Sequence, residues 1–312
     1  MMKPEKLRYL IMTIDPVHVG TGGYRLGRVD NAIVREPGTN LPKIPGTSLH
    51  GAIRSAASMR YGMPESSGQR PQGTPAKNPI VYTFGAGEDG GFSSGVVSIY
   101  DARILLFPVA SHDGPVWITT APVLREAGFT GGEAPSQQYS VLLAGTLQGI
   151  ETGFAVGWLM LNIERQNISL SAPSEGNWQD QPALKEALSR VVIVHESLFS
   201  EMVNSGLEVR TSVAIKPETG AAEDKALFAY EAIPRATFLF FDAVIDDYHG
   251  GQQVNFPNFE YDGLKPAGPA DVLSHGLDLL EYLGVGGMGT RGFGRIAVVG
   301  EPISSKNPGG AA

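Results

Sequence analysis

The sequence predicts an α+β protein with a ferredoxin-like core built from β-α-β units. A strand followed by a helix near the start, and a helix followed by a strand near the end, indicate this core. The sequence between them is rich in strand patterns. We expect a single domain over residues 1–300, with loops and a β-hairpin inserted in the core. Residues 301–312, rich in glycine, serine and proline, predict a disordered tail.

The first strand and the first helix are predicted from two segments. Residues 7–17 are apolar and β-branched and end at a proline, which is typical of a strand. Residues 44–62 have apolar side chains at helical spacing, and Thr47 or Ser48 could cap that helix. The apolar stripe consists of Leu49, Ala52, Ile53, Ala56 and Ala57.

The middle and end of the chain alternate between loops and regular elements. Residues 62–95, rich in glycine, proline and serine, predict a long loop. Residues 96–107 predict a strand or a strand pair. Residues 208–231 predict a hairpin, because two strand-like segments flank a Pro-Glu-Thr-Gly turn. Residues 269–283 predict a helix, and a strand at residues 295–299 follows a glycine-rich loop.

The composition limits the possible chemistry. Apolar residues make up 42% and charged residues 18% of the 312 residues, as in globular proteins. The chain contains no cysteine, which excludes disulfides, thiolate zinc sites and cysteine nucleophiles. No apolar run is long enough to span a membrane, and the first residues do not resemble a signal peptide. We therefore expect a cytoplasmic protein without a membrane partner.

The charge distribution differs from the net charge. A net charge of −8 argues against a simple nucleic-acid-binding protein, because binding of phosphates requires positive potential. However, Gly284–Gly300 includes Arg291 and Arg295 and no acid. Between residues 18 and 60 there are only two acids, Asp30 and Glu36. The same segment contains the basic residues Arg25, Arg28, Arg35, Lys43, Arg54 and Arg60. The sequence thus predicts two local basic regions on an acidic protein.

The glycines near the end have the spacing G-x-G-x-x-G, at Gly284, Gly286 and Gly289. A dinucleotide site needs this motif between a strand and a following helix, whereas here it lies between a helix and a following strand. We therefore interpret Gly284 as the left-handed residue that ends the helix. The remaining glycines, with Arg291 and Arg295 nearby, could bind phosphate or could form a tight turn without a ligand.

Three side-chain sets are candidates for function, and each has a structural alternative. The N-terminus of the first helix, with His50 and Arg54, could bind an anion, or the helix could present an ordinary solvated polar face. Asp30 could hold a metal or polarise a 2′-hydroxyl beside an RNA phosphate, or it could be ion-paired with a neighbouring arginine. His18 could transfer protons, or it could be structural.

Several of these segments together resemble one known family. PVHVGTG, LGRVDNAIVRE, LPKIPGTSLHGAIR and GVGGMGTRGFGRI, in this order, resemble the RAMP superfamily of CRISPR RNA-binding proteins. VVSIYDARILLFPV, WITTAPVL and LEVRTSVAIKPETGAAEDKALFAYEAIP are similar to the repeated backbone subunit of the type III-B (Cmr) effector complex. The resemblance covers residues 9–298.

The resemblance implies an architecture, partners and an activity. The core would be a modified RRM-like palm, and the hairpin at 208–231 would be its thumb. Copies of the chain would stack along crRNA beside other subunits of the complex, and each thumb would displace one nucleotide of the guide–target duplex. Target RNA would be cut at regular intervals as an endoribonuclease reaction, with a divalent metal, Mg²⁺ or Mn²⁺.

The resemblance also assigns site residues. Asp30 matches the cleaving and metal-binding aspartate, and His18 matches the histidine of the first motif. Tyr230 and Glu231 match a pair at the end of the thumb, although this chain has Ala232 where the family often has a second acid. RNA binding is expected of Lys43, Ser48, His50, Arg54, Gly286, Gly287, Gly289, Arg291 and Arg295.

Two other functions stay open from the sequence. The chain could be a non-catalytic RNA-binding scaffold of the same complex, with Asp30 only ion-paired. It could also be a nucleotide-using enzyme whose ligand binds at the glycine motif.

Overall fold

The computed structural model describes residues 4–22, 29–68, 73–88, 91–150, 153–213, 228–246 and 255–306. The strands are β1 (Glu5–Thr13), β2 (Lys43–Ile44), β3 (Gly85–Glu88), β4 (Gly91–Ser94), β5 (Val97–Ile99), β6 (Ala102–Ser111), β7 (Gly114–Thr119), β8 (Ser140–Leu143), β9 (Phe154–Val156), β10 (Leu159–Ile163), β11 (Val191–Val194), β12 (Glu208–Ser212), β13 (Phe228–Ala232), β14 (Phe238–Ile245), β15 (Ile296–Val298) and β16 (Ile303–Lys306). The helices are α1 (Gly46–Arg60), α2 (Pro79–Phe84), α3 (Ala121–Ala127), α4 (Pro182–Leu188), α5 (Glu196–Ser205) and α6 (Pro269–Leu283). Short 3₁₀ helices occupy Pro64–Ser66, Gly145–Gly149, Glu175–Asp180 and Gly289–Arg291.

One large sheet organises the described ranges. It has 12 strands, with the order β15-β1-β14-β6-β7-β11-β8-β10-β9, and β16, β2 and β5 lie beside β1, β6 and β14. β9 also pairs with β6, through Val156 and Ser111, so that strands β6 to β11 close into a barrel-like ring. The predicted mixed helix and strand composition is confirmed, and the ring was not predicted.

The two faces of the sheet follow from the period of two in β1. Leu7, Tyr9 and Ile11 point to one face, where they pack with α1 and α6. Leu10 points to the other face and packs in a second cluster with side chains of α3 and α4. Both faces of this strand are therefore buried from Tyr9 to Ile11, which explains the apolar run from Tyr9 to Met12.

The helices α1 and α6 approach each other closely at Gly276. A Cβ atom at this position would lie 2.5 Å from the Ile53 carbonyl oxygen and 2.8 Å from its Cγ2 atom. Only glycine permits this separation, which brings the Leu273 and Leu277 side chains into the core. The position of α6 in turn fixes where the glycine-rich loop that follows it begins.

Most of the predicted regular elements are confirmed. The first strand, the first helix and the helix at 269–283 are β1, α1 and α6. The hairpin strands are β12 and β13, which pair antiparallel from Glu208–Ala232 to Ser212–Phe228. The turn predicted at residues 216–220 lies outside the described residues.

Three local predictions are wrong. Residues 62–95 form α2 and the β3–β4 hairpin, because the apolar residues of α2 are buried and the Asn78 side chain accepts the N–H groups of Ile80 and Val81. The predicted disordered tail contains β16, which pairs with the free edge of β1. Thr47 and Ser48 do not cap α1, whose N-cap is Pro45.

None of the helices in the described ranges is both long and apolar enough to cross a membrane.

Replacing Gly276 with valine should destabilise the protein by about 1–3 kcal/mol, because the added atoms force α6 away from the Ile53 backbone. Gly51 in α1 is the control, since it is exposed and a Cβ there meets nothing within 4 Å. Gly51→Ala should instead stabilise by roughly 0.5–1 kcal/mol, from helix propensity alone. Urea unfolding measures both. Equal stability of Gly276→Val and wild type would contradict the close approach.

Candidate functional site

A third segment extends the β12–β13 hairpin at its base. The Asn31 N–H donates to the Ala229 oxygen at 3.0 Å, and the Glu231 N–H donates to the Asn31 oxygen at 3.1 Å. Asn31 and Tyr230 form a parallel bridge. The segment that includes Asp30 is therefore attached to one edge of β13 through isolated bridges.

Asp30 lies at this edge with its side chain exposed. Its Oδ2 atom accepts the Ala229 N–H at 2.7 Å, which fixes the orientation of the carboxylate and leaves Oδ1 directed to other ligands. Among the described residues no lysine or arginine lies within 4 Å of it. The ion-paired alternative therefore has no partner in this part of the chain, and Arg25 and Arg28 lie outside it.

His18 is 6% exposed and lies on the same edge of β13. Its Nδ1 atom is 2.6 Å from the Glu231 oxygen, so Nδ1 donates a proton and Nε2 is the atom available to a ligand. Nε2 lies 3.1 Å from the position that a Cβ on the exposed Gly20 would occupy. Glycine at position 20 thus leaves the approach to Nε2 uncovered.

The spacing of Asp30 and His18 follows from their anchors. Asp30 is bound to Ala229 and His18 to Glu231, two residues further along β13. A strand rises about 3.3 Å per residue, so the two anchor points are about 7 Å apart. The carboxylate and the imidazole are thus both held on the same edge of β13, by residues two positions apart.

Glu231 is buried and paired. Its Oε2 atom accepts from Arg35 Nη2 at 2.8 Å and from the Ile33 N–H at 3.3 Å. Arg35 also donates to the Asn204 side chain of α5 at 2.8 Å and to the Ile33 oxygen at 3.0 Å. Glu231 is therefore placed to hold the Asp30 segment against β13 and α5, rather than to contact a ligand directly.

Tyr230 belongs to an aromatic cluster. It is 4% exposed, and its ring centroid lies 5.3 Å from that of Phe293, 5.9 Å from that of Phe228 and 6.0 Å from that of His18. These edge-on and tilted contacts are favourable arrangements for aromatic rings. Tyr230 thus supports His18 from one side and joins the hairpin to the loop that follows α6.

The glycine-rich loop after α6 packs directly on His18. The Gly287 N–H donates to the His18 oxygen at 2.8 Å. Gly286 has φ of 88°, and a Cβ there would lie 2.3 Å from the same oxygen. Gly284 has φ of 73° but ψ of −179°, so it ends α6 with a positive φ and not with the predicted left-handed conformation. Gly289 faces open space.

The arginines of this loop have different surroundings. Arg295 pairs with Asp15 at 2.5 Å, a contact that lowers the pKa of Asp15 and raises that of Arg295. Arg291 is exposed, and its guanidinium carbon lies 5.4 Å from the centre of the Phe228 ring.

The N-terminus of α1 already has an anion. Asp101 Oδ1 accepts the Gly46 N–H at 2.8 Å, and its Oδ2 pairs with Lys43 at 2.5 Å. Burial acts to raise the pKa of Asp101, but the Lys43 and Gly46 hydrogen bonds outweigh it, and the pKa lies below its ordinary value. The Asp101 carboxylate therefore binds the Gly46 N–H group at the helix end where the sequence predicts an anion.

The predicted polar face of α1 is not solvated. His50 packs edge-on against Phe84, with ring centroids 5.3 Å apart. Arg54 donates to the Ser66 oxygen at 3.0 Å and to the Gly85 oxygen at 2.5 Å. Burial lowers the pKa of both side chains. The segment after α1 covers this face, and RNA binding by these two residues stays a prediction.

Ser48 lies elsewhere on α1, in a groove between α1 and the loop after α6 that Gly284 and Gly286 also line. The structure therefore brings together two groups of predicted residues. The hairpin base is surrounded by Asp30, His18, Tyr230, Glu231, Gly286, Gly287 and Arg291. The second group makes its contacts on the other side of α1 and consists of Lys43, His50 and Arg54.

The described residues do not form a complete metal site. They contain no group of three or more His, Asp or Glu side chains arranged to hold an ion. Asp30 offers one free carboxylate oxygen, and Glu231 is occupied by Arg35. A divalent ion here would need most of its ligands from water and from RNA phosphates, as Mg²⁺ often has in proteins.

Three arginines around the site had no predicted role: Arg35, Arg210 and Arg235. Their roles depend on contacts between distant segments, such as Arg35 with Glu231. The hairpin prediction did not locate Arg210, because pairing about the turn at residues 217–220 would place it opposite residue 227, whereas it lies opposite Tyr230.

Replacing Arg35 with methionine should destabilise the protein by about 3 kcal/mol, because it leaves the buried Glu231 carboxylate unpaired. The double variant Arg35→Met/Glu231→Gln should recover part of this loss. Lys185→Met, which removes an exposed pair with Asp180, should cost under about 1 kcal/mol. Urea unfolding midpoints measure all three, and equal effects of Arg35→Met and Lys185→Met would contradict the assignment.

Comparison with known proteins finds relatives of the chain. The chain is 27% identical over 254 residues to the CRISPR system Cmr endoribonuclease Cmr4 of Pyrococcus furiosus, covering 75% of this chain and 79% of that protein. Its fold is similar to a subunit of the type III-B Cmr-beta complex bound to cognate target RNA (TM-score 0.63, 15% identity, 94% and 96% of the two chains). It is also similar to oligomeric Cmr4 from Pyrococcus furiosus (TM-score 0.56, 19% identity, 97% and 99% of the chains). The family model of the RAMP superfamily matches residues 10–297, and the chain belongs to this superfamily.

Proposed function

We propose that this chain is a crRNA-binding backbone subunit of a type III CRISPR effector complex and that it cuts the target RNA. The relative Cmr4 is described as an endoribonuclease, and the similar structures include a complex with target RNA and an oligomer. The observation that supports cleavage most directly is the exposed Asp30 carboxylate, oriented by Ala229 beside His18. Further copies of the chain and other subunits of the complex would be its protein partners.

The architecture supports separate roles for the core of the fold and for the β12–β13 hairpin. In this proposal β1, β14, α1 and α6 form a ferredoxin-like palm, and the β12–β13 hairpin is its thumb. The site lies where the two meet, at the base of the hairpin. A thumb that enters the guide–target duplex would displace one target nucleotide at this point. Sequence recognition would come from base pairing, so the protein needs contacts with the RNA backbone only.

The chemistry needs little from the protein because RNA supplies its own nucleophile. Displacement of a nucleotide lets the 2′-oxygen line up with the adjacent phosphorus. The 2′-oxygen–phosphorus bond forms, the bond to the 5′-oxygen breaks, and the products are a 2′,3′-cyclic phosphate and a 5′-hydroxyl. In our proposal the free oxygen of Asp30 accepts the 2′-hydroxyl proton, and His18, protonated on Nε2, gives a proton to the leaving 5′-oxygen.

The other predicted residues support this pair. The Glu231 oxygen holds the Nδ1–H of His18, so that Nε2 is the atom directed at RNA. Tyr230 packs against the imidazole, and Gly286 and Gly287 allow the loop to hold the His18 backbone. A divalent ion, Mg²⁺ or Mn²⁺, stays part of the proposal. Asp30 would hold it together with RNA phosphates, and it would supply positive charge at the reacting phosphate.

Asp30→Ala should lower the single-turnover rate of target cleavage by about 10²-fold or more, because the proton acceptor is lost. The guide and the target should stay bound, since removal of an acid does not weaken phosphate contacts. Asp30→Asn should be similarly impaired despite keeping the hydrogen bond to Ala229. The measurement is cleavage of labelled target RNA by the assembled complex.

Glu186→Ala on α4 is the matched control, an exposed acid far from the hairpin base in sequence. It should cleave like wild type. Wild-type cleavage by Asp30→Ala would instead favour the non-catalytic scaffold.

His18→Ala should lower the cleavage rate by roughly 10²–10³-fold, because the leaving 5′-oxygen loses its proton donor. A target with sulfur in place of that oxygen leaves without protonation and should restore the rate for His18→Ala, but not for Asp30→Ala. Gly20→Val, whose side chain would cover Nε2, should behave like His18→Ala. Gly38→Val is its control, since a Cβ at Gly38 meets nothing within 4 Å. Equal impairment of His18→Ala on both targets would contradict the role as acid.

A further inference from the structure

Four exposed arginines surround the base of the hairpin: Arg210, Arg235, Arg291 and Arg295. They come from β12, from the turn before β14 and from the two sides of the loop after α6. Arg295 pairs with Asp15, and Arg235 lies between Ile233 and Ala236, whose N–H groups donate to the Val17 and Thr13 oxygens. Arg210 lies on the ring of Phe293, and the next residue, Gly294, donates to the Pro16 oxygen at 2.9 Å, so these three arginines surround the segment of residues 13–17. Arg291 is joined to this set through the aromatic cluster.

Aromatic rings hold two of the guanidinium groups in place. The Arg210 guanidinium carbon is 4.6 Å from the centre of the Phe293 ring, and that of Arg291 is 5.4 Å from the centre of the Phe228 ring. Both rings contact Tyr230. A guanidinium that lies on a ring keeps its N–H edge free for a planar or tetrahedral anion. The two side chains are thus preorganised rather than freely rotating.

The positive charge of this surface is only partly neutralised. Asp15 pairs with Arg295 and Glu208 pairs with Arg210. Within the described ranges, Arg235 and Arg291 have no carboxylate within 4.0 Å. The whole chain has a net charge of −8, so a cluster of arginines with incomplete partners stands out against the rest of the protein. Like charges repel at this range, and a bound polyanion would offset that cost.

The surface reaches the proposed cleavage site at one end. Arg291 lies over Phe228, and the next residue along β13, Ala229, binds Asp30 through its N–H. Arg210 lies opposite Tyr230, two residues further along the strand pair. Arg235 follows the end of β13 at Ala232 and so lies further along this direction than Tyr230.

We propose that this arginine surface binds the backbone of the target RNA, with Arg291 on the phosphate that is cut and Arg210 and Arg235 on neighbouring phosphates. This assignment rests on the proposed function and specifies that the surface binds the target RNA strand. It assigns Arg291, for which the sequence predicts RNA binding, to the target strand. Arg291 donates to the non-bridging oxygens and stabilises the extra negative charge that develops as the 2′-oxygen attacks.

The test measures three quantities on assembled complexes. They are the amount of crRNA that co-purifies, the affinity for a 2′-deoxy target that cannot be cut, and the single-turnover rate with saturating ribose target. Arg291→Ala should lower the rate by about 10²-fold and leave the affinity nearly unchanged. Arg291→Lys should be intermediate, because it keeps the charge and loses the two-pronged contact.

Arg210→Ala/Arg235→Ala should instead weaken target binding by about tenfold at physiological salt. It should also reduce the slope of log affinity against log salt by about one per arginine removed. The control is Arg165→Ala, an exposed arginine that lines a polar groove with Gln148 and Asn167 and has no carboxylate partner in the described ranges. It should match wild type in all three measurements.

The outcomes separate this inference from the function on which it rests. If crRNA retention falls while target affinity per loaded complex is unchanged, the surface holds the guide and the inference is wrong. If the Arg291→Ala complex cuts target at the wild-type rate, Arg291 does not act on the reacting phosphate. The proposed role of Asp30 in cleavage is unaffected by that result. If the wild-type complex binds but does not cut target, the proposed function fails, and the affinity measurements still decide whether Arg210 and Arg235 bind target.

Discussion

Glu231 holds the site together through three of its groups. Its N–H binds the Asn31 oxygen, its carbonyl oxygen binds the His18 ring, and its carboxylate binds Arg35 and the Ile33 N–H. The segments around residues 18 and 31 and the β13 strand are distant in sequence and meet at this one residue. Glu231 and His18 are both buried, where hydrogen bonds are strongest and costly to leave unmade, so the backbone of β13 sets the relative positions of Asp30 and His18.

The sequence predicted the elements well because their signals are local. Helical spacing in α1 and α6, and the alternation of β12, depend on residues within one or two turns or pleats. The wrong predictions arise where contacts with distant segments decide the structure. The segment after α1 looked like a loop because its glycines and prolines surround only six residues of α2, all of them buried by contacts with distant helices. β16 is short and polar, and it is a strand only because β1 offers a free edge.

The sequence predicted the site in part. It identified residues that lie in local motifs, but not the roles that depend on contacts between distant segments. Asp30, His18, Tyr230 and Glu231 were found through ordered motifs, and the structure brings them to one place. Their separate geometric roles could not be predicted. Whether Glu231 faces a ligand or an internal arginine depends on Arg35, which is 196 positions away. Similarly, the covering of Arg54 depends on how the following segment folds, and no pattern around Arg54 itself indicates it.

The site has few side chains that could bind a metal or transfer a proton, and this suits a reaction in which the RNA supplies its own nucleophile. A hydrolase that activates water on a metal commonly holds the ion with three or more side chains, a group that the described residues do not contain. A reaction that uses the 2′-hydroxyl of a displaced nucleotide needs instead a fixed acceptor, a fixed donor and positive charge near the phosphate. In the proposed function, hydrogen bonds to the backbone of Ala229 and Glu231 would fix the first two, and arginines supported by aromatic rings would provide the third. The interval between cuts would then depend on how successive copies are spaced along the guide, and each copy needs only one simple site at the base of its hairpin.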